Sequence, residues 1–480
     1  MSRTSKKWLK NLLRWGIAVF GIWYVLSNMS WNDRVLIAGA DGYPISVKLA
    51  EPAPEDASEF KIVDPDQSIR TLPRDEVLQR IDTATIELEN QKWDLVARRD
   101  EPGTGAKHFD YLIAPHRNVW QRYWNHHTLP VRAIKPSEIH GPVPSSIPYP
   151  RVDRGIGPML HQADRGLLLA AIFCFPIVFV IVSFRWHQLL KALDIRVTLA
   201  QAFVLSMVGS FYNTFMPGST GGDLLKAYYA SRLTTHRTRA VMSVIVDRII
   251  GLLALVILGG FMASVGFFTI DPRDPARHKC GQIALGSGLI IFGSAVAMLI
   301  FYQPTLRRIT GLDWIIRKLP MQRQVQKAIE TMEIYRTRPM LVLGTILITL
   351  PVHSIVVISA TFAGMAFKLP LHPLYYWVVV PVVVLAGSIP ISPQGAGVME
   401  FFAILLTKRQ GCTVSQAFAL TMSIRIVQIV WNLTGGLFVL RGGFHAPTDT
   451  EQHTMDVDLP EASASEQEIH RRDAEFAEKK

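Results

Sequence analysis

The sequences PGSTGGD at residues 217–223 and PQGAGVME at residues 393–400 interrupt two long apolar segments of the chain. Each ends in a carboxylate, and in each copy an arginine follows that carboxylate by 25 residues, Arg248 in the first and Arg425 in the second. Proline and glycine break helices, and charged side chains are costly in hydrocarbon. Because the whole set recurs at matched spacing, we expect a site within a membrane rather than a chance pair of kinks.

The composition indicates that most of the chain lies in lipid. Of its 480 residues, 49% are hydrophobic and 19% are charged, which is unusual for a soluble enzyme of this length. The apolar runs predict an all-α polytopic membrane protein with about six spanning helices. These runs are 12–28, 167–184, 240–268, 281–303, 341–366 and 415–440. Two further apolar segments, 198–232 and 372–408, are predicted as broken or re-entrant helix pairs. Hydropathy alone also allows about eight or ten spanning helices.

Composition divides the chain into four predicted parts. Residues 1–28 form a membrane anchor helix, although a cleaved signal peptide is the alternative for this run. Residues 29–165 form a small, mainly β extracytoplasmic domain, a barrel or sandwich with its strands in 31–100. Residues 166–445 form the transmembrane domain, and the acidic segment 446–480 is a disordered cytoplasmic tail.

The net charge of +11 does not predict a nucleic-acid partner. The basic residues of the chain fall in short loops beside membrane segments, where they set the orientation of the helices. They predict a multi-pass protein of the cell (inner) membrane with both termini in the cytoplasm. Residues 29–165 then lie outside.

No metal and no cofactor are expected from the sequence. The three cysteines show neither metal spacing nor a disulfide pattern. His126, His127 and His140 lack the spaced carboxylate or cysteine that a zinc site needs, so we expect surface or packing roles for them.

The two interrupted segments are predicted to point at each other from opposite faces of the membrane. In the first, a helix near 199–215 enters from the cytoplasm, breaks at 217–222 and returns to the same side. In the second, a helix enters from outside near Tyr375, breaks between Gly387 and Gly397, and returns. This is the pattern of an inverted-topology repeat with its site near the midplane.

The chemistry of the two breaks predicts an anion as ligand. A restarted helix exposes amide N–H groups whose field favours negative charge, and arginine adds a fork of donors suited to phosphate. Glycines allow the backbone to approach closely, while Asn213 and Gln394 are candidate neutral head-group contacts. The predicted substrate-binding residues are Asn213, Pro217, Gly221, Gly222, Asp223, Arg248, Pro393, Gln394, Gly395, Gly397, Glu400 and Arg425.

The two carboxylates allow more than one interpretation. Asp223 and Glu400 hold the arginines in place when the site is empty, which we favour, or bind a coupling proton, or only cap the restarted helices. Asp247 and Arg248 also fit an inert buried pair.

The chain resembles the transmembrane region of lysylphosphatidylglycerol synthase, the flippase-like domain of the multiple peptide resistance factor. The first signature of that family is matched by Asn213, Pro217, Gly221, Gly222 and Asp223, and the second by Pro393, Gly395, Gly397 and Glu400. The resemblance covers about 166–445. It implies a helical membrane protein that moves or handles a phospholipid or polyprenyl-phosphate lipid. We expect two departures from that family: no aminoacyltransferase domain, since about 35 residues follow residue 445, and the insert at 29–165.

We therefore expect a flippase-like protein that binds an anionic lipid head group, not an enzyme. No phosphate-binding loop for ATP occurs in the sequence. The alternatives are a membrane-embedded transferase acting on a lipid carrier and an envelope-assembly scaffold. Under each of these interpretations, residues 29–165 are a candidate binding region for an envelope or lipid-synthesis partner, and the oligomeric state stays open.

Overall fold

The computed structural model describes eleven stretches of the chain. They are residues 30–39, 42–64, 66–81, 85–100, 108–116, 131–139, 150–215, 221–272, 274–311, 322–389 and 393–441. The expected anchor helix at 12–28, the three histidines considered for metal binding, Pro217 and the tail after 445 lie outside the described residues.

The first part of the described chain is a ten-stranded antiparallel sheet. Its strands are β1 (Arg34–Ala38), β2 (Pro44–Leu49), β3 (Glu59–Val63), β4 (Ile69–Pro73), β5 (Val77–Arg80), β6 (Thr85–Leu88), β7 (Gln91–Asp100), β8 (Phe109–Pro115), β9 (Arg132–Ile134) and β10 (Val152–Asp153). The strand order is β4-β3-β2-β1-β5-β7-β8-β9, with β10 paired to β1 and β6 paired to β7. The described strands thus form an antiparallel β domain, as predicted, and its closure into a small barrel or sandwich stays a prediction.

Alternating side chains explain the strands that were predicted. Val35 and Ile37 of β1, like Phe60 and Ile62 of β3, face a common core, while the residues between them are more exposed. The sheet continues past residue 100, beyond the predicted strands. In β7 the buried side of the pattern includes Arg98 and Asp100, which form an ion pair, so an apolar alternation is not visible there.

The rest of the described chain is helical. The helices are α1 (Ile156–Gln162), α2 (Arg165–Phe173), α3 (Pro176–Ala192), α4 (Leu199–Phe215), α5 (Gly221–Arg232), α6 (Arg237–Thr269), α7 (Pro275–Tyr302), α8 (Pro304–Ile309), α9 (Gln322–Arg336), α10 (Pro339–Ala366), α11 (Pro373–Gly387), α12 (Val398–Thr407), α13 (Val414–Thr434) and α14 (Gly436–Leu440). Five helical stretches are long and apolar enough to cross a membrane: Arg165–Ala192, Arg237–Thr269, Ala276–Tyr302, Pro339–Ala366 and Val414–Leu440. These match five of the six predicted spans, and the sixth falls on residues that are not described.

Both interrupted segments form helical hairpins. The first consists of α4 and α5, and α5 begins at Gly221, two residues before the predicted restart. The second consists of α11 and α12, joined through a 3-10 turn at Pro393–Gly395. The breaks therefore fall where proline and glycine predicted them. The mirror relation between the two hairpins stays a prediction.

The chain divides into two compact units. One unit contains Met1–Phe175, Val256–Gly288 and His353–Val427, and the other contains Pro176–Leu255, Leu289–Val352 and Gln428–Lys480. The first includes the sheet and the second hairpin with Arg425, whereas the other includes the first hairpin with Arg248. Each unit thus holds one complete copy of the duplicated element.

Within the first unit, the sheet domain contacts the ends of membrane helices. The backbone N–H of Ser30 donates to Ser415 Oγ at the start of α13, over 3.2 Å. Between α1 and α2, the N–H of Asp164 donates to the carbonyl of Ala366 at the end of α10, over 3.2 Å. A hydrogen bond just before β1 therefore joins the sheet domain to α13, and a second one joins helical segments of the same unit.

Candidate functional site

The first hairpin depends on backbone-to-backbone contact between α4 and α5. A Cβ atom added to Gly222 would overlap the carbonyl oxygen of Gly209, and one added to Gly209 would lie 2.9 Å from the carbonyl oxygen of Gly222. Next to this contact, the N–H of Gly222 donates to Asn213 Oδ1 over 2.7 Å. Asn213 thus satisfies an amide at the start of α5, a more specific role than the head-group contact predicted for it.

Asp223 is the third residue of α5, and it pairs with Arg248 of α6. The guanidinium Nε of Arg248 donates to a carboxylate oxygen of Asp223. The Arg248 side chain is 40% exposed and that of Asp223 is 21% exposed. The predicted carboxylate and arginine are therefore in contact, and the arginine side chain stays partly exposed.

The second hairpin is also closely packed at its break. A Cβ on Gly387 would lie 2.7 Å from Met399 Cγ. The other ends of the two helices are joined where Tyr375 Oη donates to the carbonyl of Leu406 over 3.0 Å. The break itself uses left-handed backbone, with φ of 48° at Gln394, and here Gly395 and Gly397 have φ of 69° and 82°. Glycine takes these angles without strain, which explains its place in the motif.

Glu400 is the third residue of α12, as Asp223 is of α5. One of its oxygens accepts from the N–H of Gly397 over 2.7 Å. The other accepts from Arg425 Nη2 over 2.8 Å. The carboxylate is 2% exposed and the Arg425 side chain 10%. Glu400 therefore contacts both the start of its helix and its arginine, so it does more than cap the helix, and its role in a binding site stays a prediction.

The Arg425 guanidinium lies in an environment poor in oxygen acceptors. Besides Glu400, it contacts the sulfurs of Met422 and Met399 at 3.6 Å and 3.8 Å. Its buried Nε has no hydrogen-bond partner among the described residues. A buried guanidinium with an unused donor is suited to an incoming oxyanion.

The predicted residues thus fall into two groups, one in each unit. Asn213, Gly222, Asp223 and Arg248 lie together at the first hairpin, with Gly221 opening α5. At the second hairpin the group consists of Pro393, Gln394, Gly395, Gly397, Glu400 and Arg425. The described residues contain no cluster of three metal-ligating side chains.

Comparison with known protein families gives a match to the helical part of the chain. The sequence profile of the lysylphosphatidylglycerol synthase TM region matches residues 154–436, which is more than half of the chain. The chain belongs to this family. The matched stretch contains both hairpins and both acid–arginine pairs, whereas β1 to β10 precede it. No curated protein matches the chain significantly.

Membership of the synthase TM-region family confirms the predicted resemblance. Together with the five apolar helices, it indicates a multi-pass membrane protein that works in lipid handling. The match ends at residue 436 and covers the membrane region alone.

The family domain also contains a buried charge cluster that was not predicted. Asp247 accepts from Arg185 Nε over 2.8 Å and lies 3.4 Å from Lys226 Nζ. Arg248 does not pair with Asp247, because neighbouring residues on a helix point about 100° apart. One feature of the sequence could have indicated this cluster: Asp223 and Lys226 are three residues apart, which puts both on one face of α5.

Proposed function

We propose that the protein translocates a lipid with an anionic phosphate head group across the membrane, without covalent change to the lipid. The supporting observation is the repeated local geometry. In each unit a carboxylate sits at the third residue of a restarted helix and holds an arginine 25 residues further on. Arg248 and Arg425 are the proposed phosphate contacts.

In the proposed mode of binding, each arginine exchanges its carboxylate partner for the phosphate of the lipid. A phosphate presents several oxygens to a guanidinium and can take two parallel hydrogen bonds, whereas Glu400 already gives one of its oxygens to the N–H of Gly397. Asp223 and Glu400 keep the arginines extended and compensated when no lipid is bound. Such compensation is needed because an uncompensated charge within a membrane is expensive.

The starts of α5 and α12 add to the attraction of a phosphate. Their first amides point toward the breaks, and part of this donor capacity is taken up by Asn213 and by Glu400. The field of the aligned peptide dipoles still favours negative charge at these ends. The proposal keeps the predicted orientation, with both termini in the cytoplasm.

The direct test is translocation of fluorescent phosphatidylglycerol in proteoliposomes. The full chain is reconstituted, and reduction of the outer-leaflet fluorophore by dithionite measures exchange between leaflets. We expect exchange well above that of empty vesicles, and a loss of about tenfold or more in Arg248→Ala and Arg425→Ala. Arg196→Ala, at an exposed arginine after α3, is the matched control and should retain the rate.

Unchanged exchange in both site variants would remove the proposed site. The transferase alternative is tested separately, by mass spectrometry of lipids from cells with and without the protein. A lipid species that is missing in the deletion strain contradicts transport alone, whereas an unchanged inventory with altered leaflet distribution supports it.

A further inference from the structure

A second layer of buried charge lies behind the pair formed by Asp223 and Arg248. Lys226 of α5, Asp247 of α6 and Arg185 of α3 are each 5–6% exposed. Asp247 receives one hydrogen bond from Arg185 at 2.8 Å and one from Lys226 at 3.4 Å. Two cations thus share one carboxylate, which leaves the cluster with one positive charge in excess.

Polar and aromatic groups of α3, α6, α9 and α10 lie beside this cluster. Lys226 Nζ lies 3.9 Å from the centre of the Trp186 ring. The indole of Trp186 donates to Ser243 of α6 over 3.1 Å, and Arg185 Nη1 donates to Thr349 of α10 over 3.0 Å. Tyr335 of α9, whose hydroxyl donates to the carbonyl of Leu189, is close enough for Asp247 to help raise its pKa, an effect that burial dominates.

The second copy of the element is built without these charges. When the two copies are aligned with an offset of 177 residues, Asp223 corresponds to Glu400. In that alignment Lys226 corresponds to Ala403, Asp247 to Ile424 and Arg185 to Phe362. The hairpin and its acid–arginine pair form there all the same. The fold of the element therefore does not require the cluster. Buried ion pairs add little stability, and charges within membranes usually mark ion or proton paths.

We infer that Lys226 is a proton-binding site, with Asp247 and Arg185 as its fixed counter-charges. Loss of the proton from Nζ to water reduces the net charge of the cluster from one to zero and leaves the pair of Arg185 and Asp247. Uptake of a proton on the nitrogen lone pair restores the ammonium above the Trp186 ring. Arginine does not titrate in proteins, so Lys226 is the cation of the cluster that changes state.

Lipid binding and this protonation are linked through Asp223, a step that rests on the proposed function. When a phosphate takes Arg248, Asp223 loses its partner. Lys226 lies three residues along the same face of α5, and its ammonium can compensate the released carboxylate. A bound anionic lipid therefore favours the protonated state of Lys226, and by reciprocity protonation favours the lipid.

Trp186 provides a readout that does not depend on transport. The purified full chain in detergent is titrated from about pH 5 to 10, and tryptophan emission is recorded. An ammonium over the indole face perturbs its emission, so we expect one pH-dependent step in the wild type. Trp186→Phe and Lys226→Met should lack this step. Lys226→Arg keeps a positive charge that does not titrate, so it should also lack the step, and it serves as the test if Lys226→Met fails to fold. The control Lys191→Met removes an exposed lysine of α3 and should keep the step.

The lipid arm of the titration uses phosphatidylglycerol added in mixed micelles. We expect the midpoint of the step to move to higher pH, by the linkage above, and not to move with phosphatidylcholine. A step that persists in Lys226→Arg, or no step in the wild type, overturns the proton site even if leaflet exchange is observed. A Lys226-dependent step without leaflet exchange supports the proton site and contradicts translocation. A step that phosphatidylglycerol does not move overturns the coupling.

Discussion

Gly222 lies where the backbones of α4 and α5 are in direct contact. A methyl group there would overlap the carbonyl of Gly209, and neither backbone can withdraw without separating the hairpin. We expect Gly222→Ala to destabilise the protein by at least about 1–3 kcal/mol, as overpacking does. Thermal unfolding of the detergent-solubilised chain measures the loss. Gly286→Ala is the matched control, because a Cβ at Gly286 in α7 has no atom within 4 Å; equal melting temperatures for the two variants would contradict this account.

The two acid–arginine pairs differ in burial, so their removal should differ in cost. Arg425→Ala leaves Glu400, at 2% exposed, without its counter-charge, and we expect a loss of about 3–5 kcal/mol. Arg248→Ala affects a pair that is 40% and 21% exposed, and about 1 kcal/mol or less is expected. Double-mutant cycles of Glu400→Ala with Arg425→Ala, and of Asp223→Ala with Arg248→Ala, give the two coupling energies. The prediction fails if the exposed pair has the larger one.

Residue pairs separated by a fixed interval along the chain were predictable, and contacts that depend on helix rotation were not. The spacing of 25 residues correctly joined Asp223 to Arg248 and Glu400 to Arg425. Lys226 follows a helix break, yet it is buried, with its Nζ 3.9 Å from the centre of the Trp186 ring. A basic residue just after a helix break can face water or protein, and only the packing of a third helix decides which.

At the scale of elements, the hairpins were predictable because proline and glycine punctuate apolar sequence. The bounds of α4 and α11 agree with the predicted breaks at 217 and after Gly387. The strands β8 and β9 lie past residue 100, outside the predicted range, and in β7 the buried ion pair of Arg98 with Asp100 interrupts the apolar side of the alternation. Periodicity of hydrophobicity locates an element only where its core is apolar.

A hairpin, unlike a crossing helix, returns both of its ends to one side of the membrane. Single cysteines at Leu199 and Leu233, at the two ends of the first hairpin and both exposed, should react with a membrane-impermeant maleimide from the same face. Cysteines at His372 and Lys408, at the two ends of the second hairpin, should likewise share a face. The charge distribution predicts the cytoplasm for the first pair and the outside for the second.

Labelling in sealed spheroplasts and in inverted vesicles measures this topology. The native thiols Cys174, Cys280 and Cys412 are first replaced by serine or alanine, and the replaced chain without added cysteines is the control. Two ends of one hairpin that react from opposite faces would show a full crossing. Both hairpins reacting from the same face would exclude the inverted repeat while keeping the hairpins.

For the molecule as a whole, the sheet domain is held near membrane helices by contacts that include a titrating group. Ser30, whose N–H donates to Ser415 of α13, also donates through its hydroxyl to Asp153 Oδ2 over 3.4 Å. Burial raises the pKa of the Asp153 carboxyl above its ordinary 3.8, and the nearby Arg80 and the Ser30 hydrogen bond offset only part of this effect.

A raised pKa means that the folded chain binds the Asp153 proton more readily than the unfolded chain does. Its contribution to the free energy of unfolding is therefore most favourable below pH 3.8 and falls as pH rises through the folded pKa. Asp153→Asn keeps the acceptor for Ser30 but removes the buried charge. We expect the variant to be more stable than the wild type near neutral pH, by about 1 kcal/mol or less, with the advantage lost at acid pH. Melting temperatures from about pH 3 to 8 measure this difference. The control is Asp66→Asn, at an exposed carboxylate whose pKa is lowered by a hydrogen bond from Ser68. There the variant should be the less stable protein near neutral pH, and the difference should vanish at acid pH. A constant difference between Asp153→Asn and wild type across this range would show that packing, not protonation, sets the effect.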